Sequence, residues 1–395
     1  MKKYRYFIIP IICTIIFAFA FNVILDKKYE EVKDKKDLGT IKHTPDHKIR
    51  DKGVLLKDEM HYESDLILLG SSELANLVDQ NPVNVFPFKG AEYDVSIYGT
   101  AHTQSLHHTA MLNSISNLNS DDKIAIIVSA QWFQYEEGTG RDSFTPNFSE
   151  QQFYKIFNND KISKESKIYY AERISEILKQ GDTFVEERIY ANLYSKDNIL
   201  SKIALSLLSP YYEFKEYMLD TKDKVQTIKV FETLNNKKDT NIKVINWEEE
   251  YEKAEIEGTS KVTNNYMNVE DSYYDKYLRA RYDELNGYWE NVDLLKSKEV
   301  QDYELFLNIS SELGVKPLII LAPVNGIYYD YIGLTKEERN LFYNNIEQMA
   351  KEKGFDVLNL QSKEYEKYYL TDVMHLGWKG WLNVDEEMYK HFNKE

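Results

Sequence analysis

Continuous apolar runs of strand length occur in the first and last thirds of the chain and predict buried strands. They lie at 66–69, 83–88, 94–98, 124–128, 318–321 and 355–360. Between them, apolar residues recur at helical spacing. These stripes predict helices at 104–119, 300–314, 336–353 and 384–392. Strands that alternate with helices indicate an α/β fold with about five parallel strands and helices on both faces of the sheet.

The middle of the chain has a different pattern. Residues 148–298 are charged and rich in tyrosine, and they contain amphipathic stretches without strong buried-strand runs. We predict a mostly helical insertion here, with 224–259 as loop or loosely packed helix. The α/β core is then built from two halves, 61–147 and 299–395, which must meet to form one sheet.

An uncharged run of twenty residues, 6–25, lies near the start of the chain and follows three basic residues. As a helix it would rise about 30 Å, the thickness of a bilayer core. The preceding positive charge predicts a cytoplasmic N-terminus and an extracellular remainder. Residues 1–25 are therefore predicted to be a single-pass membrane anchor, with a signal peptide cleaved near Ala20 as the alternative. The highly charged residues 26–60 predict a solvated stalk.

Composition narrows the choice of function. The chain has 395 residues, of which 43% are hydrophobic and 29% charged, so it can bury a sizeable core. Its net charge of −16 excludes unspecific nucleic-acid binding, which needs a basic face. The one cysteine, Cys13, lies in the apolar run, so the body holds no disulfide or zinc–thiolate site. There is no P-loop and no His-Glu-x-x-His motif, and we expect neither a metal nor a cofactor.

Candidate chemistry begins where the first predicted strand ends, in the run 66–69 followed by Gly70, Ser71 and Ser72. Ligands of open α/β sheets bind outside the carboxyl ends of the strands, and a following helix N-terminus favours negative charge. Such a motif by itself is more often only a turn. Ser72 is the candidate nucleophile and Ser71 its competitor, and either needs a base elsewhere in the chain.

The candidate base lies near the other end of the sequence. Asp372 and His375 are three residues apart, so the carboxylate can hold the imidazole in one tautomer. Alone, the pair is more often a helix cap beside a surface histidine. Together with Ser72 it favours a Ser-His-Asp hydrolase or transferase, in which Ser72 attacks a carbonyl, His375 takes the proton and Asp372 orients the ring. No Gly-x-Ser-x-Gly elbow is present, which argues against an ordinary α/β-hydrolase.

Other residues at predicted strand ends could complete such a site. The backbone N–H groups of Ser72 and Gly99 and the side-chain amide of Gln131 could donate to an oxyanion. The remaining candidates for contacts with substrate are Trp132, Asn325 and Trp378. The alternative roles are core packing for the two rings and turn formation for the asparagine.

Four motifs, in this order, resemble the DltD family, whose members are similar to the SGNH (GDSL-like) hydrolases. They are Gly-Ser-Ser-Glu-Leu at 70–74, Gln-Trp-Phe at 131–133, Pro-Val-Asn-Gly-Ile-Tyr-Tyr-Asp at 323–330 and His-Leu-Gly-Trp-Lys-Gly-Trp at 375–381. The resemblance covers essentially the whole chain. It implies an SGNH-like three-layer α/β/α domain and places the family's catalytic residues on Ser72, Asp372 and His375.

The same resemblance implies a function at the cell membrane: an extracytoplasmic acyl-transfer step in the D-alanylation of (lipo)teichoic acid. The implied partners are the membrane O-acyltransferase DltB, the small membrane protein DltX, the D-alanyl carrier protein DltC and the polymer itself. Alternatives are an SGNH esterase or thioesterase acting on another acylated wall polymer or carrier, and a non-catalytic docking module. The charge of −16 suits a polyphosphate poorly, so a local basic patch or sugar and aromatic contacts would have to hold the polymer.

Overall fold

One parallel sheet forms the centre of the molecule. The computed structural model describes residues 2–33, 36–62, 65–76, 78–179, 181–236 and 242–393, without the side chains of 2–8, 10, 11 and 15. The strands are β1 Leu66–Leu69, β2 Val95–Tyr98, β3 Ile124–Ser129, β4 Leu318–Ala322 and β5 Val357–Asn359. They lie in the order β2-β1-β3-β4-β5, and every neighbouring pair is parallel. The predicted α/β class with about five parallel strands is confirmed.

Helices cover the sheet and fill the middle of the chain. Before the insertion they are α1 Lys2–Val32, α2 Gly39–His43, α3 Lys48–Lys52, α4 Leu55–His61, α5 Pro82–Val85 and α6 Ser105–Asn113. The middle contains α7 Arg141–Phe144, α8 Glu150–Asn158, α9 Lys164–Ile177, α10 Val185–Ser195, α11 Ile199–Thr233, α12 Trp247–Lys261, α13 Asp271–Tyr273 and α14 Tyr282–Leu285. The last part contains α15 Glu299–Leu313, α16 Gly326–Tyr331, α17 Lys336–Glu352 and α18 Trp378–Phe392.

Shorter helical turns complete the chain. These are the 3₁₀ turns Ser72–Ala75, Ala130–Phe133, Arg279–Arg281, Leu294–Lys296 and Gln361–Lys363, and the π-helical turn Tyr274–Leu278. Two of them, Ser72–Ala75 and Ala130–Phe133, begin within three residues of the ends of β1 and β3. They form the rim where the candidate site lies.

Alternate residues of the strands face two separate cores. Ile67 and Ile126 pack into one hydrophobic cluster, whereas Leu68 and Ile127 pack into the other, on the opposite face of the sheet. Strands that are buried on both faces have unbroken apolar sequences, and for this reason they could be predicted from the sequence. Two cores on two faces give three layers, with the sheet in the middle.

The strand predicted at 83–88 is wrong. Residues Pro82–Val85 form the short helix α5, in which Pro82 occupies the first turn and Asn81 Oδ1 accepts a hydrogen bond from the Val83 N–H at 3.2 Å. Phe86 and Phe88 then pack into the second core. The run is apolar because it covers the sheet, and periodicity cannot separate a short buried helix from a strand.

Residues 38–60 are packed against the domain, so the solvated stalk predicted over 26–60 is wrong for this part. Arg50 and Lys57 are fully buried, and Leu56 and Met60 belong to the first core. The Arg50 guanidinium donates to Asp51 Oδ1 at 2.7 Å, and burial lowers the pKa of Lys57 to about 8. Part of the charge that suggested solvation is therefore buried in the domain.

The stretch 224–259, predicted as loop or loosely packed helix, is helical at both ends. Helix α11 continues to Thr233 and α12 begins at Trp247, while 237–241 lie outside the described residues. Of the residues of α12, Ala254 and Gly258 are buried and the others are partly or fully exposed. The division of the chain at 148 and 298 stays a prediction.

Among the residues that the structure describes, none of the helices combines the length and apolar character of a membrane span. Helix α1 covers Lys2–Val32. The anchor predicted over 1–25 includes residue 1 and the side chains of 2–8, 10, 11 and 15, which lie outside the described part of the chain.

Candidate active site

The topology of the sheet selects one position for a site. From β1 the sheet extends to β2 on one side and to β3, β4 and β5 on the other. The strand order therefore reverses between β1 and β3. In open α/β sheets the ligand crevice lies at such a point, outside the carboxyl ends of the strands. Ser72 follows β1 and Gln131 follows β3, so the two turns face each other across the crevice that the topology predicts.

Ser72, His375 and Asp372 form a continuous hydrogen-bonded series at this rim. Ser72 Oγ lies 2.8 Å from His375 Nε2, across 303 positions of sequence, and His375 Nδ1 lies 2.6 Å from Asp372 Oδ2. A carboxylate can only accept a hydrogen bond, so Nδ1 carries the proton and Nε2 accepts from the serine hydroxyl. This is the arrangement that allows an imidazole to take the proton of an attacking serine.

Backbone hydrogen bonds fix the orientation of Asp372. Its Oδ1 accepts from the N–H groups of Met374 and His375, both at 2.9 Å, which closes a tight turn around the carboxylate. The second oxygen is left for the imidazole. Because the two residues are three positions apart, one oxygen of Asp372 closes the turn while the other accepts from the His375 ring.

Two opposing effects act on the pKa of His375. Burial of the ring acts to lower its pKa, but the hydrogen bond and negative charge of Asp372, with a smaller contribution from Glu73, raise the pKa above the ordinary value of histidine. A base with a raised pKa holds a proton more firmly after taking it from a hydroxyl.

The turn after β1 distinguishes the two serines. Ser71 is buried and its hydroxyl donates to the Thr100 carbonyl at 3.2 Å, whereas Ser72 is partly exposed and faces His375. Glu73 Oε1 accepts from the Ser71 N–H at 2.6 Å, and burial raises the pKa of this carboxyl. The geometry therefore favours Ser72 over Ser71 as the nucleophile.

Glycines allow the turns at the rim to touch. A Cβ on Gly99, whose φ is +125°, would lie 1.9 Å from the carbonyl oxygen of Gly70. A Cβ on Gly70 would lie 2.7 Å from Glu73 Oε1. Only glycine permits so close an approach, and the role that the structure supports for Gly99 is steric.

A cavity of about 130 Å³ opens beside the serine. Its wall includes Ser72, His375, Gln131, Trp132, Met374 and His102. Gln131 Nε2 donates to the Tyr329 hydroxyl at 2.9 Å, which fixes the amide and leaves its second N–H for another acceptor. Trp132 is held by stacking on His108, with ring centroids 5.6 Å apart. The cavity is thus small and has polar groups on several sides.

Four of the predicted site residues are not on this wall, as far as the chain is described: Asp372, which lies behind His375, and Gly99, Asn325 and Trp378. Asn325 caps α16 by accepting from the Tyr328 N–H, and its side-chain amide donates to the Met267 carbonyl at 2.8 Å. Its own N–H donates to the Val373 carbonyl at 2.9 Å. Asn325 therefore joins the middle of the chain to the loop that holds Asp372 and His375.

Trp378 is buried at the start of α18, where it packs with Ala254 and Leu382. It supports α12 against α18. Trp381, one turn later, is fully buried in the second core. A Cβ on Gly380 would lie 2.2 Å from the Tyr369 carbonyl oxygen, so the glycine lets the helix approach the preceding loop.

Sequence reasoning missed Asn76, which joins the two halves of the site. Its amide nitrogen donates to Thr371 Oγ1 at 2.6 Å and to the Leu376 carbonyl at 2.9 Å. It therefore clamps the loop of Asp372 and His375 onto the turn of Ser72. No motif marks this asparagine, because its partners lie 295 and 300 positions away.

Comparison with known proteins places the chain. The family model of the DltD protein matches residues 43–393. The chain belongs to the DltD family.

Relatives in the DltD family match most of the chain. Protein DltD of Bacillus subtilis (strain 168) is 28% identical over 342 residues, which cover 86% of each chain. Protein DltD of Staphylococcus aureus (strain NCTC 8325 / PS 47) is 28% identical over 351 residues, 87% of this chain and 85% of the relative. Protein DltD of Lacticaseibacillus rhamnosus is 25% identical over 351 residues, 85% and 79% respectively.

The four family motifs have distinct places in this DltD-family chain. The first and second form the turns that carry Ser72 and Gln131. The third contributes Asn325 and the Tyr329 hydroxyl that holds Gln131. The fourth carries His375 and the start of α18. Among the described residues, no group of three or more His, Cys, Asp or Glu side chains is arranged to hold a metal ion.

Proposed function

We propose that this DltD-family chain catalyses acyl transfer through Ser72, as an extracytoplasmic step in the D-alanylation of (lipo)teichoic acid. The observation that carries the proposal is the series Ser72–His375–Asp372 at the mouth of a small cavity. Family membership supports the choice of acyl group and polymer, and the geometry of the three side chains supports the chemistry.

In the first half of the reaction, Ser72 Oγ attacks the carbonyl carbon of the acyl donor while His375 Nε2 takes the hydroxyl proton. The developing oxyanion accepts hydrogen bonds from the Ser72 N–H and the free N–H of the Gln131 amide. One such donor lowers the barrier by about 3 kcal/mol. When the C–X bond of the donor breaks, His375 returns the proton to the leaving group and an acyl ester remains on Ser72.

In the second half, a hydroxyl of the polymer attacks this ester. His375 takes the proton of that hydroxyl and then returns it to Ser72 Oγ as the ester bond to the serine breaks. Asp372 stays ionised throughout and stabilises the imidazolium. A cavity of about 130 Å³ accommodates a small acyl group such as D-alanyl.

Placement at the membrane belongs to the same proposal. Residues 1–25 anchor the chain as a single pass with a cytoplasmic N-terminus, and the domain lies outside, as the uncharged run 6–25 and its basic flank suggest. DltB, DltX and DltC are the partners that the family implies. DltB and DltX would meet the chain in the membrane, and DltC would supply the acyl group from the cytoplasmic side.

One observation favours a second candidate. A net charge of −16 repels a polyphosphate acceptor, and water could replace the polymer hydroxyl in the second half-reaction. The chain would then be an esterase or thioesterase for another acylated wall polymer or carrier. A pure docking role through Trp378 and Trp381 has less support, because both rings are buried inside the domain.

The decisive experiment locates an acyl group. The purified chain is incubated with a D-alanyl thioester, and peptides are examined by mass spectrometry. We expect D-alanyl on the peptide that contains Ser72, its loss in Ser72→Ala, and its retention in the matched variant Ser71→Ala. An unmodified Ser72, together with unchanged D-alanine ester in the walls of cells that carry Ser72→Ala, would refute the proposal. Release of free acid without transfer would favour the esterase.

A further inference from the structure

Glu73 lies beside the candidate nucleophile and on the wall of the same cavity. It is the second residue of the 3₁₀ turn Ser72–Ala75, and only 5% of it is exposed. Its side chain accepts a hydrogen bond from the Ser71 N–H at 2.6 Å, and in the described part of the chain no side chain donates to it. A carboxylate has two oxygens with about four acceptor positions. Glu73 therefore keeps acceptor capacity that the turn does not use.

Among the described residues, no lysine or arginine balances the charge of Glu73. Burial raises the pKa of this carboxyl, and within the same part of the chain His375 is the one positive group that acts to lower it. A buried carboxylate without a cation is costly, and a cation that binds beside it favours the ionised form. Glu73 is thus a charge that the described chain leaves without a permanent counter-ion.

The rest of the cavity wall also lacks cations, as far as the structure describes it. Its charged or titratable members are Glu73, His102 and His375, and the others are uncharged. The carboxylate of Asp372 lies directly behind His375, bonded to its Nδ1 at 2.6 Å. Around neutral histidines, the net charge of this region is therefore negative. Such a cavity attracts a cationic acyl group and repels an anionic one such as succinyl.

An α-aminoacyl group carries a cation very close to its reacting carbon. The α-nitrogen is about 2.5 Å from the carbonyl carbon, because only two bonds separate them. Ser72 Oγ attacks that carbon, and Glu73 is the next residue of the same turn on the same wall. An ammonium group in this position therefore lies next to the part of the wall that Glu73 forms.

We propose that Glu73 binds the α-ammonium group of the acyl donor and makes the site selective for aminoacyl groups over neutral acyl groups of the same size. The inference rests on the proposed function, since it takes Ser72 to be the nucleophile that receives the acyl group. The bond is a charge-assisted N–H···O hydrogen bond, which is stronger than one between neutral groups. The Ser71 N–H holds the carboxylate in place for it. Loss of the charge at position 73 should therefore change which acyl group reacts, whereas a purely structural role in the turn would affect all acyl groups equally.

The test compares two donors that differ in one group. The full chain is incubated with the N-acetylcysteamine thioester of D-alanine or of D-lactate, in which a neutral hydroxyl replaces the ammonium. The second-order rate of acylation of the peptide that contains Ser72 is measured by mass spectrometry. Each rate is divided by the uncatalysed hydrolysis rate of its thioester, because the ammonium itself activates the carbonyl. The ratio of the two corrected rates is the D-alanyl preference.

Glu73→Gln removes the charge but keeps the size of the side chain and an acceptor for the Ser71 N–H. Glu92→Gln is the matched control for the change in net charge. Glu92 is exposed and precedes β2, so it lies toward the amino ends of the strands and away from the rim. We expect a D-alanyl preference of at least about tenfold in the parent and in Glu92→Gln, and below about threefold in Glu73→Gln.

A parent chain that is acylated on Ser72 without a D-alanyl preference overturns the inference and leaves the proposed function standing. The same holds if Glu73→Gln slows both donors by one factor, because Glu73 then only shapes the turn. If neither donor acylates Ser72 in the parent, the proposed function fails and the inference fails with it. A Glu73→Gln chain that reacts with neither donor is replaced by Glu73→Asp, which keeps the charge. A preference below about threefold in that variant would equally overturn the inference.

Discussion

The rim of the sheet and the outer face of α11, which is formed by the exposed side chains of Leu200, Ile203 and Leu207, treat polar and apolar groups in opposite ways. At the rim, polar side chains are largely withdrawn from water and bonded to one another, as Ser72, His375 and Asp372 are. On the outer face, apolar side chains such as Leu207 are left in contact with the surroundings. Neither arrangement is what folding alone would favour.

The difference separates two kinds of function. At the rim, distances are fixed by contacts inside the chain, so a single substitution should change a reaction rate by orders of magnitude. On the outer face, the side chains are exposed and contribute little to the core, so a substitution should leave the fold and the chemistry unchanged. The four predictions that follow test this separation, beginning with the largest effect.

Replacing Ser72 by alanine should lower the acyl-transfer rate by about 10⁴-fold or more, because the nucleophile is lost and only binding and the oxyanion donors remain. Rates are measured with a D-alanyl thioester and a soluble hydroxyl acceptor. Ser71→Ala is the matched control, since its hydroxyl is bonded to the Thr100 carbonyl and away from His375. A larger loss in Ser71→Ala than in Ser72→Ala would reverse the assignment.

Replacing Asp372 by asparagine should lower the rate by about 10⁴-fold, because an amide no longer enforces the tautomer of His375. In the parent, the rate should rise with pH through the raised pKa of His375, since only the neutral ring can act as base. The variant loses the charge that raises this pKa while burial still lowers it, so its inflection should move to lower pH. The pH–rate profile and an NMR titration of the ring check both points; an unmoved inflection would contradict the pairing.

Replacing Asn76 by alanine should lower the rate by about 10²-fold, because the loop of His375 loses its clamp and the ring moves relative to Ser72. The effect should appear mainly in kcat. Asn84→Ala is the control: this asparagine is exposed and bonds the Val78 carbonyl away from the site. Equal losses in the two variants would remove the role assigned to Asn76.

Replacing Leu207 by serine should change the free energy of unfolding by less than about 0.5 kcal/mol, because the side chain is exposed. Leu106→Ala, at a fully buried position of α6, should cost about 2–5 kcal/mol. Urea unfolding of the two full-length variants in the same mild detergent measures the contrast. A cost above about 1.5 kcal/mol at Leu207 would mean that the outer face is part of the fold.

The parts of the fold that could be predicted are those with a purely local signature. Strands β1, β3 and β4 are buried on both faces and therefore read as unbroken apolar runs. The apolar run at 83–88 has the same composition but covers the sheet as a helix and loop. The burial of Arg50 could not be foreseen, because no apolar pattern marks it: the guanidinium is held by the neighbouring Asp51 carboxylate and by carbonyls of 41 and 44, which converge on it only when this segment folds.

In the candidate site, too, residues with a local sequence signature could be predicted and residues that act through distant contacts could not. Ser72 and His375 could be named because strand ends and an Asp-x-x-His spacing are local, and the structure brings them together. Asn325 and Trp378 belong to the same motifs but hold the surrounding loops, and a motif does not say which of its members touch substrate. Asn76 had no signal at all, since its contacts are entirely long-range.

Ser72 and His375 are separated by 303 positions of sequence, and this separation has a consequence for the folding of the protein. Until the last α/β segment docks on the sheet, the serine has no base and is an ordinary alcohol. If Ser72 is the nucleophile, a chain that is stalled halfway to its native form carries no activated hydroxyl that could capture acyl groups at random. Reactivity is therefore latent during biogenesis and arises together with the finished tertiary structure.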